Sequence, residues 1–350
     1  MTEPTTEPSP TIADVLACRY GLAPDRMVQL PIGQGTTNYR ATCAGHDVFV
    51  KNYPPGTDLA GEADAIGLSA LAGCHGTPVA GLLRNHAGDL IDTSSRYAVS
   101  VWEWMPGAVV TTDLTAGQAR AAGATLGRVH AVFATLPASI GPSSQAQSWL
   151  AVDLAGLAAT VDRLADIAEA RIAAGSADPF DAQAANTLAE RRDAIGMIPG
   201  LMGDLPKLTT QVLHGDYSPV NLIFEGDQLS AVIDFRPPDP FFVAYEIGRV
   251  AFYPNTVATT TDWLATARTL IDAYVRANPT VADDDIRACA RVALLQLLTS
   301  LYGIKQHYLK PGLFQDALDE FWLLRHRAVS VLLDHQDDTD ALLHDIIADR

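Results

Sequence analysis

The sequence has 350 residues, enough for one large or two ordinary domains with a sizeable core. Hydrophobic residues make up 48% and charged residues 19%, which is typical of a globular protein. With 24 basic against 41 acidic side chains, the formal net charge is −17, which argues against a basic face for nucleic acid. No apolar run reaches membrane-spanning length, so we expect no membrane partner.

The cysteines and the start of the chain indicate the compartment. Cys18, Cys43, Cys74 and Cys289 are scattered and form neither a C-x-x-C pair nor a metal-ligand pattern. They predict reduced thiols in a cytoplasmic protein. Residues 1–10 lack the basic and apolar regions of a signal peptide, and their composition predicts a disordered tail.

The first third of the chain, after a short amphipathic helix at 11–20, is rich in strand patterns. A strand leads into the turn G-Q-G-T-T-N, and two more strands are predicted at 39–43 and 47–51. Gly33 and Gly35 would let this turn lie close to phosphates, with backbone N–H groups making the contacts. A glycine turn without a ligand is the structural alternative, because a G-x-G pair alone is a weak signal.

Lys51 strengthens the prediction of a phosphate site. In the strand V-F-V-K, Val48 and Val50 share one face and Lys51 lies on the other, from which it could reach a cleft and hold phosphates. Glu62 opens the next helical pattern and could pair with Lys51, with Asp64 as the rival partner. Solvated surface charges are the structural alternative for these residues.

Two short strands are predicted at 82–85 and 89–92, followed by an apolar run at 97–104 that ends in W-E-W-M-P-G. Pro106 and the glycine after it break this run, so we place a domain boundary there. A long helix is predicted at 114–133. It ends near His130, for which we predict a structural role.

The segment 212–235 carries the strongest signal. Apolar runs at 222–224 and 229–233 flank a turn at 225–227, which predicts a β-hairpin. Polar side chains lie at the ends of this hairpin, namely His214, Asp216, Asn221 and Asp234. Magnesium prefers oxygen ligands, so Asn221 and Asp234 are plausible metal ligands, and Asp216 remains as a base for a substrate hydroxyl. An ordinary surface hairpin is the structural alternative.

The pattern H-x-D-x-x-x-x-N followed by D-F resembles the catalytic and metal-binding segments of the protein-kinase-like fold. The version H-G-D-Y-S-P-V-N with V-I-D-F is similar to the aminoglycoside phosphotransferase and choline kinase branch, which acts on small molecules. Gly215, Ser218 and Arg236 depart from the residues of protein kinases at these positions. These departures argue against a protein substrate.

This resemblance implies further roles. The turn with Gly33 and Gly35 would cover the nucleotide phosphates, Lys51 would hold them, and Glu62 would position Lys51. The segment V-W-E-W-M-P-G resembles the connection between the lobes, where adenine would bind backbone near Glu103 and Met105. Arg236 could steady phosphate charge or hold an anionic group of the acceptor, with an exposed loop arginine as the alternative. Glu246 would anchor the catalytic loop.

We therefore predict an α+β, two-lobed protein-kinase-like fold, with a small β-rich N-terminal lobe at 11–106 and a larger, mainly helical C-terminal lobe at 107–350. The active site is expected between the lobes. The predicted activity is transfer of the γ-phosphate of ATP, with GTP as an alternative donor and Mg²⁺ as cofactor, to a hydroxyl of a small molecule. We expect a monomer or homodimer.

The acceptor is the open part of this prediction. The first choice is an antibiotic of aminoglycoside or nucleoside type, which phosphorylation would inactivate. The alternative is a primary metabolite such as homoserine, choline or a sugar. An acidic pocket would favour a polyamine-like acceptor, whereas arginine and aromatic residues would favour a nucleoside or an anion. A catalytically inactive nucleotide-binding protein is a further alternative.

Overall fold

The computed structural model describes residues 11–31, 35–137, 143–311 and 315–350. The chain divides into two compact units, one made of Met1–Pro106 with Ser230–Pro238 and the other of Gly107–Leu229 with Asp239–Arg350. The predicted α+β fold, with a β-rich part and a mainly helical part, is confirmed, and the sheet of the first part is antiparallel. No helix of the described residues has the length and hydropathy to cross a membrane.

The first unit is built on a five-stranded sheet with the strand order β1-β2-β3-β5-β4. Its strands pair antiparallel, and the alternating pattern of the sequence decides which face each side chain occupies. The strands are β1 (Arg26–Leu30), β2 (Thr37–Cys43), β3 (His46–Tyr53), β4 (Leu82–Leu83) and β5 (Ala98–Glu103). Helix α1 (Ile12–Val15), continued by a π-helical turn at Leu16–Tyr20, packs its apolar side chains on this sheet, and α2 (Leu59–Cys74) follows β3.

The second of the two short strands predicted in this region is wrong. Only Leu82–Leu83 forms a strand, and at 89–92 the backbone turns, with one isolated bridge from Asp92. Asp92 is fully buried and accepts hydrogen bonds from Arg19 and Asn85 at 2.8 Å and 2.7 Å. The turn is therefore held by a buried carboxylate, whose many donors outweigh burial and lower its pKa to about 2.

The second unit is mainly helical, as predicted, and α3 corresponds to the helix predicted at 114–133. Its helices are α3 (Ala116–Phe133), α4 (Ser144–Leu150), α5 (Leu154–Ala173), α6 (Asp181–Ala194), α7 (Ile198–Gly203), α8 (Val243–Ala251), α9 (Pro254–Thr259), α10 (Trp263–Ala277), α11 (Asp283–Thr299), α12 (Ile304–Leu309), α13 (Gln315–Asp334) and α14 (Gln336–Ala348). Helices α3 and α10 pack so closely that a Cβ on Gly123 would lie 1.9 Å from the carbonyl oxygen of Leu270. Glycine is required there because no side chain fits.

Short strands position the loop around Asp216. Strands β7 (Thr210–Gln211) and β10 (Phe241–Phe242) pair, and β6 (Ala108–Val109), β8 (Leu222–Glu225) and β9 (Gln228–Val232) form a three-stranded sheet with β8 in the centre. Strands β8 and β9 confirm the predicted hairpin. Its turn is attached to the start of α3, where Thr115 donates to Asp227 at 2.5 Å and Gln118 to the carbonyl of Gly226 at 2.8 Å.

Candidate active site

Lys51 lies in β3 of the first unit, opposite Asn38 of β2 and Ser100 of β5. Val48 and Val50 are buried in the core, which places Lys51 on the opposite face of the sheet, as the alternation predicts. The side chain of Lys51 is 18% exposed, and its ammonium group lies 5.3 Å from the centre of the Tyr53 ring. The sheet thus presents a partly buried cation on one face.

Two carboxylates hold this cation. The Nζ atom of Lys51 lies 3.1 Å from Oδ1 of Asp234 and 3.5 Å from Oε2 of Glu62; we call these three residues the lysine cluster. Burial alone would lower the pKa of Lys51, but the charges of Asp234, Tyr53 and Glu62 outweigh it and raise the pKa above its usual value. Lys51 therefore stays protonated at neutral pH.

Helix α2 positions Glu62. The helix begins after Asp58, whose side chain caps it by accepting the N–H of Gly61 at 3.1 Å. Glu62 lies in the first turn, where the positive end of the helix dipole favours a carboxylate. Asp64, the rival partner for Lys51, is exposed on the same helix. The structure pairs Lys51 with Glu62.

Asp234 follows β9 in a left-handed backbone conformation with φ of +60°. Residues other than glycine adopt this region at some cost, although aspartate tolerates it better than most. The side chain of Asp234 is 40% exposed, so its carboxylate can be reached by a ligand while it contacts Lys51. A strained aspartate at the end of a strand is a feature that functional sites often carry.

The other residues predicted for nucleotide binding, Gly33, Gly35, Glu103 and Met105, do not belong to the lysine cluster. Gly33 lies outside the described residues. Gly35 has φ of +91°, a conformation that favours glycine, and a Cβ added to it would meet no atom of the described residues within 4 Å. Glu103 ends β5 and its N–H donates to the carbonyl of Gly81 at 2.8 Å, so this N–H is already used. Met105 lies just beyond the strand and is half-buried.

Arg236 is exposed in the segment after Asp234 and belongs to the first unit.

The ammonium group of Lys51 has Glu62 and Asp234 as its partners among the described ion pairs and hydrogen bonds. Gly35, Glu103 and Met105 take no part in them. The structure thus brings together Lys51, Glu62 and Asp234 of the predicted nucleotide-binding and metal-binding set.

In the second unit, Glu246 anchors the loop that carries Asp216. Its fully buried carboxylate accepts three backbone N–H groups, from His214 at 3.0 Å, Gly215 at 2.7 Å and Tyr217 at 3.3 Å. It also contacts Nε2 of His130 at 3.0 Å. Burial alone would raise the pKa of Glu246, but the hydrogen bonds and the charge of His130 lower it.

The anchoring role predicted for Glu246 and the structural role predicted for His130 agree with these contacts. The Nδ1 atom of His130 lies 2.9 Å from the hydroxyl of Tyr274, and both ring nitrogens are thus used in the core. The carboxylate of Glu246 fixes the loop, because the backbone N–H groups that donate to it would otherwise be buried without a hydrogen-bond partner. Asp216 consequently lies on a rigid backbone.

The side chain of Asp216 forms an ion pair with Arg249, one turn after Glu246 on α8. The backbone carbonyl of Asp216 accepts a hydrogen bond at 2.9 Å from Nδ2 of Asn221. This bond fixes the amide of Asn221, whose oxygen is the end that can bind a metal ion. The structure thereby brings Asp216 and Asn221 together in one turn.

Arg249 was missed by the sequence analysis. Burial alone would lower its pKa, but Tyr245 and Asp216 outweigh this effect and raise it. The signal that could have found it is the spacing of Glu246 and Arg249, because residues three apart on a helix share a face. Once Glu246 is assigned to the catalytic loop, Arg249 must face the same loop.

This fold and these two sets of residues define a phosphotransferase of the kinase type. Residues 27–288 match the model of the phosphotransferase enzyme family (APH), and the protein belongs to this family. The predicted family and the prediction of a small-molecule phosphotransferase acting on hydroxyl groups are therefore confirmed. Among curated proteins, none matches the sequence.

Solved structures share the fold. A spectinomycin phosphotransferase in complex with ADP and spectinomycin superposes with a TM-score of 0.62 at 12% identity, covering 92% of this chain and 96% of its own. A microcompartment-associated aminopropanol kinase superposes with a TM-score of 0.55 at 13% identity, covering 90% of this chain and 93% of its own. An aminoglycoside phosphotransferase from Alicyclobacillus acidocaldarius superposes with a TM-score of 0.54 at 15% identity, covering 97% of this chain and 100% of its own. At these identities, the likeness shows the fold alone.

Proposed function

We propose that this phosphotransferase moves the γ-phosphate of ATP to a hydroxyl group of a small molecule, with Asp216 as the base. The observation that carries this proposal is the lysine cluster, a protonated lysine held between two carboxylates on one face of a sheet. Phosphoryl transfer depends on positioning and on neutralising phosphate charge, and a fixed ammonium group supplies both. The spectinomycin phosphotransferase of the same fold was solved with ADP, which supports an adenine nucleotide as donor.

Asp216 has the support that a base requires. Its backbone is fixed through Glu246, and Arg249 holds one oxygen of its carboxylate. The other oxygen would accept the proton of the acceptor hydroxyl while the hydroxyl oxygen bonds to the γ-phosphorus and ADP leaves. Arg249 acts in this scheme as a positioning residue, because it sets the orientation of the carboxylate.

The donor atoms of Asn221 and Asp234 fit Mg²⁺, which binds carboxylate and amide oxygens. Asp234 offers a 40% exposed carboxylate, and the amide nitrogen of Asn221 is already hydrogen bonded, which leaves its oxygen as the ligand atom. When bound, Mg²⁺ neutralises charge on the β- and γ-phosphates. Asn221 and Asp234 would hold it, and Lys51 would add its own charge to the phosphates.

Two acceptor classes were predicted from the sequence, an antibiotic and a primary metabolite. Solved structures of the same fold include enzymes of both kinds, named for spectinomycin and for aminopropanol. Asp216 pairs with Arg249, and a second guanidinium group, Arg325, acts with both of them on Tyr253. Positive charge beside the base disfavours a polycationic aminoglycoside and favours a metabolite or a nucleoside-type antibiotic.

A cytoplasmic location belongs to the same proposal. All four cysteines are free thiols, which suits a reducing compartment. The enzyme would find its nucleotide donor and a small-molecule acceptor in the cytoplasm. A monomer or homodimer would serve this function equally, because every residue assigned above belongs to one chain.

The proposal is tested by a phosphate-acceptance screen. We expect magnesium-dependent formation of ADP from ATP in the presence of a subset of hydroxyl compounds, with GTP compared in parallel. A susceptibility panel in cells that express the protein separates the acceptor classes, since an antibiotic acceptor raises resistance and a metabolite acceptor does not. Nucleotide turnover that is absent with every hydroxyl compound, with Mg²⁺ present, would contradict the proposal.

A further inference from the structure

Two buried arginines of the second unit, Arg191 and Arg325, each leave Nε and Nη2 without a hydrogen-bond partner among the described residues, but only Arg191 has carbonyl acceptors. Arg191 on α6 is fully buried and donates from Nη1 to the carbonyls of Leu297 and Leu298 at 2.6 Å and 3.2 Å. Its guanidinium also lies 4.8 Å from the centre of the Trp322 ring. Arg191 therefore joins helices of the core, which is a structural role.

Arg325 on α13 is 7% exposed, and no carbonyl of the described residues accepts a hydrogen bond from it. Its Nε and Nη2 atoms are buried without a hydrogen-bond partner, and no carboxylate of the described residues forms an ion pair with it. Burial and the charge of Arg249 lower the pKa of Arg325 to about 10, so it remains a cation at neutral pH. A buried cation without a partner costs several kcal/mol, and proteins seldom keep one without a function.

The surroundings of Arg325 connect it to the base. Its guanidinium lies 5.5 Å from the centre of the Phe321 ring, and Tyr253 stacks near the same ring at 6.4 Å. The pKa of Tyr253 is raised to about 12 by burial, and it responds to the charges of Arg249, Asp216 and Arg325. Tyr253 therefore lies within electrostatic reach of all three groups. We call Asp216, Arg249 and Arg325 the arginine cluster.

The charge of the arginine cluster is unbalanced. Asp216 pairs with Arg249, whereas Arg325 adds a second guanidinium with unused N–H groups. The Nε atom of Arg249 is likewise buried without a partner. A guanidinium binds carboxylate or phosphate oxygens through parallel N–H groups, and such charged bonds are stronger in a buried site. The surroundings are aromatic, which suits an occupant with an apolar part.

We propose that Arg325, with the Nε atom of Arg249, binds an oxyanion of the acceptor, so that the acceptor of this enzyme is an anionic hydroxyl compound. This inference rests on the proposed function, in which Asp216 takes the proton of the acceptor hydroxyl. An acid group held by Arg325 fixes one end of the molecule while its hydroxyl faces Asp216. The acceptor class is therefore a small hydroxy acid or a hydroxyl compound that already carries a phosphate group.

The anion site is tested directly with malonate and inorganic phosphate as probes, at constant ionic strength set with chloride. We expect both probes to bind and to raise the melting temperature of the wild-type protein. Arg325→Met should weaken malonate binding by at least about 10-fold, since one hydrogen bond to a charged group contributes about 1.5–3 kcal/mol. Without a probe, Arg325→Met should be as stable as the wild type or more stable, because it removes an unpaired buried charge.

Two variants serve as controls. Arg191→Met removes a buried arginine that has carbonyl partners, so it should lower stability and leave malonate affinity unchanged. Arg276→Met removes a 77% exposed arginine and should change neither. Equal malonate affinity in wild type and Arg325→Met, an absence of malonate and phosphate binding in the wild type, or a destabilised Arg325→Met would each overturn the inference.

Kinetics separate this inference from the proposed function. With Mg-ATP fixed, anionic, neutral and cationic hydroxyl compounds are compared, and we expect anionic compounds to be phosphorylated. In Arg325→Met the KM for the anionic acceptor should rise at least about 10-fold, with the KM for ATP unchanged, and Arg325→Lys should recover part of the loss. Transfer only to neutral or cationic compounds overturns the inference and leaves the function standing. Transfer to no compound contradicts the function, and the acceptor assignment falls with it.

Discussion

The lysine cluster and the arginine cluster are built from the same kinds of side chain in opposite proportion. In the lysine cluster of the first unit, one ammonium group contacts two carboxylates, Asp234 and Glu62. In the arginine cluster of the second unit, one carboxylate, Asp216, pairs with Arg249, and Arg325 adds a second guanidinium group. An excess of carboxylate suits a metal cation, and an excess of guanidinium suits an anion.

This difference suggests how one protein can treat two substrates differently. The lysine cluster keeps Lys51 charged and leaves Asp234 40% exposed, which suits a nucleotide that arrives with its metal ion. The arginine cluster keeps Arg325 buried and Arg249 only 30% exposed, which suits a smaller molecule that gives up its water on binding. Variants that remove one charge from either cluster should therefore affect different kinetic constants.

The largest effect is expected for Asp216→Asn. The amide keeps the shape of the side chain but cannot take a proton, so kcat should fall by about 10²–10⁴-fold. The affinity for ATP, measured by calorimetry, should stay within about twofold of the wild type, because Asp216 acts on the acceptor. Asp166→Asn, an exposed aspartate on α5, is the control. Wild-type turnover in Asp216→Asn would show that another group is the base.

The next effect is expected for Asp234→Asn in the lysine cluster. The change removes one carboxylate from Lys51 and a charged ligand from the proposed metal site, so kcat should fall by about 10²–10³-fold. The Mg²⁺ concentration for half-maximal rate should rise in this variant, whereas it should not in Asp216→Asn. Asp64→Asn, an exposed aspartate of the same unit, is the control. An unchanged Mg²⁺ requirement would remove Asp234 from the metal site.

Local pattern was enough to predict parts of both clusters. Strand alternation placed Lys51 on the correct face, and the start of a helical pattern supplied Glu62 as its partner. The spacing of the catalytic motif located Asp216, Asn221 and Asp234, whose roles stay predictions. These residues are close to one another in sequence or lie in helices and strands whose apolar residues recur at clear helical or strand spacing.

Arg325 and Asp92 could not be predicted from the sequence, for a shared physical reason. Arg325 lies on α13, more than a hundred residues after Asp216, and only tertiary packing brings both within electrostatic reach of Tyr253. The strand predicted at 89–92 failed because its backbone pairing stops at one bridge between Asp92 and Val99, and the Asp92 side chain instead accepts hydrogen bonds from Arg19 and Asn85. Buried polar groups with distant partners override local strand preference.

A third prediction concerns the loop beneath Asp216. Glu246→Gln replaces a charged acceptor of three backbone N–H groups by a neutral one, so the free energy of unfolding at pH 7 should fall by about 2–3 kcal/mol. The folded-state pKa of Glu246 is lowered. Its stabilisation is therefore fully present above the unfolded-state pKa of about 4.3 and is lost as pH falls through the folded-state value.

Urea unfolding at several pH values measures this prediction. The difference between wild type and Glu246→Gln should be constant from pH 7 to about pH 5 and should shrink below that. Glu169→Gln, an exposed glutamate on α5, controls for the loss of one acidic charge. A difference that does not change with pH would mean that Glu246 is not ionised in the folded protein.

The smallest effect is expected for Glu62→Gln. The pair with Lys51 is long, at 3.5 Å, and about one-fifth exposed on each side, so its loss should cost about 1 kcal/mol. The KM for ATP should rise about fivefold with little change in kcat, because Asp234 still holds Lys51 in place. Asp64→Asn, which lies two residues further on the same helix, should leave both constants unchanged. A kcat loss as large as that of Asp234→Asn would mean that Glu62, and not Asp234, sets the position of Lys51.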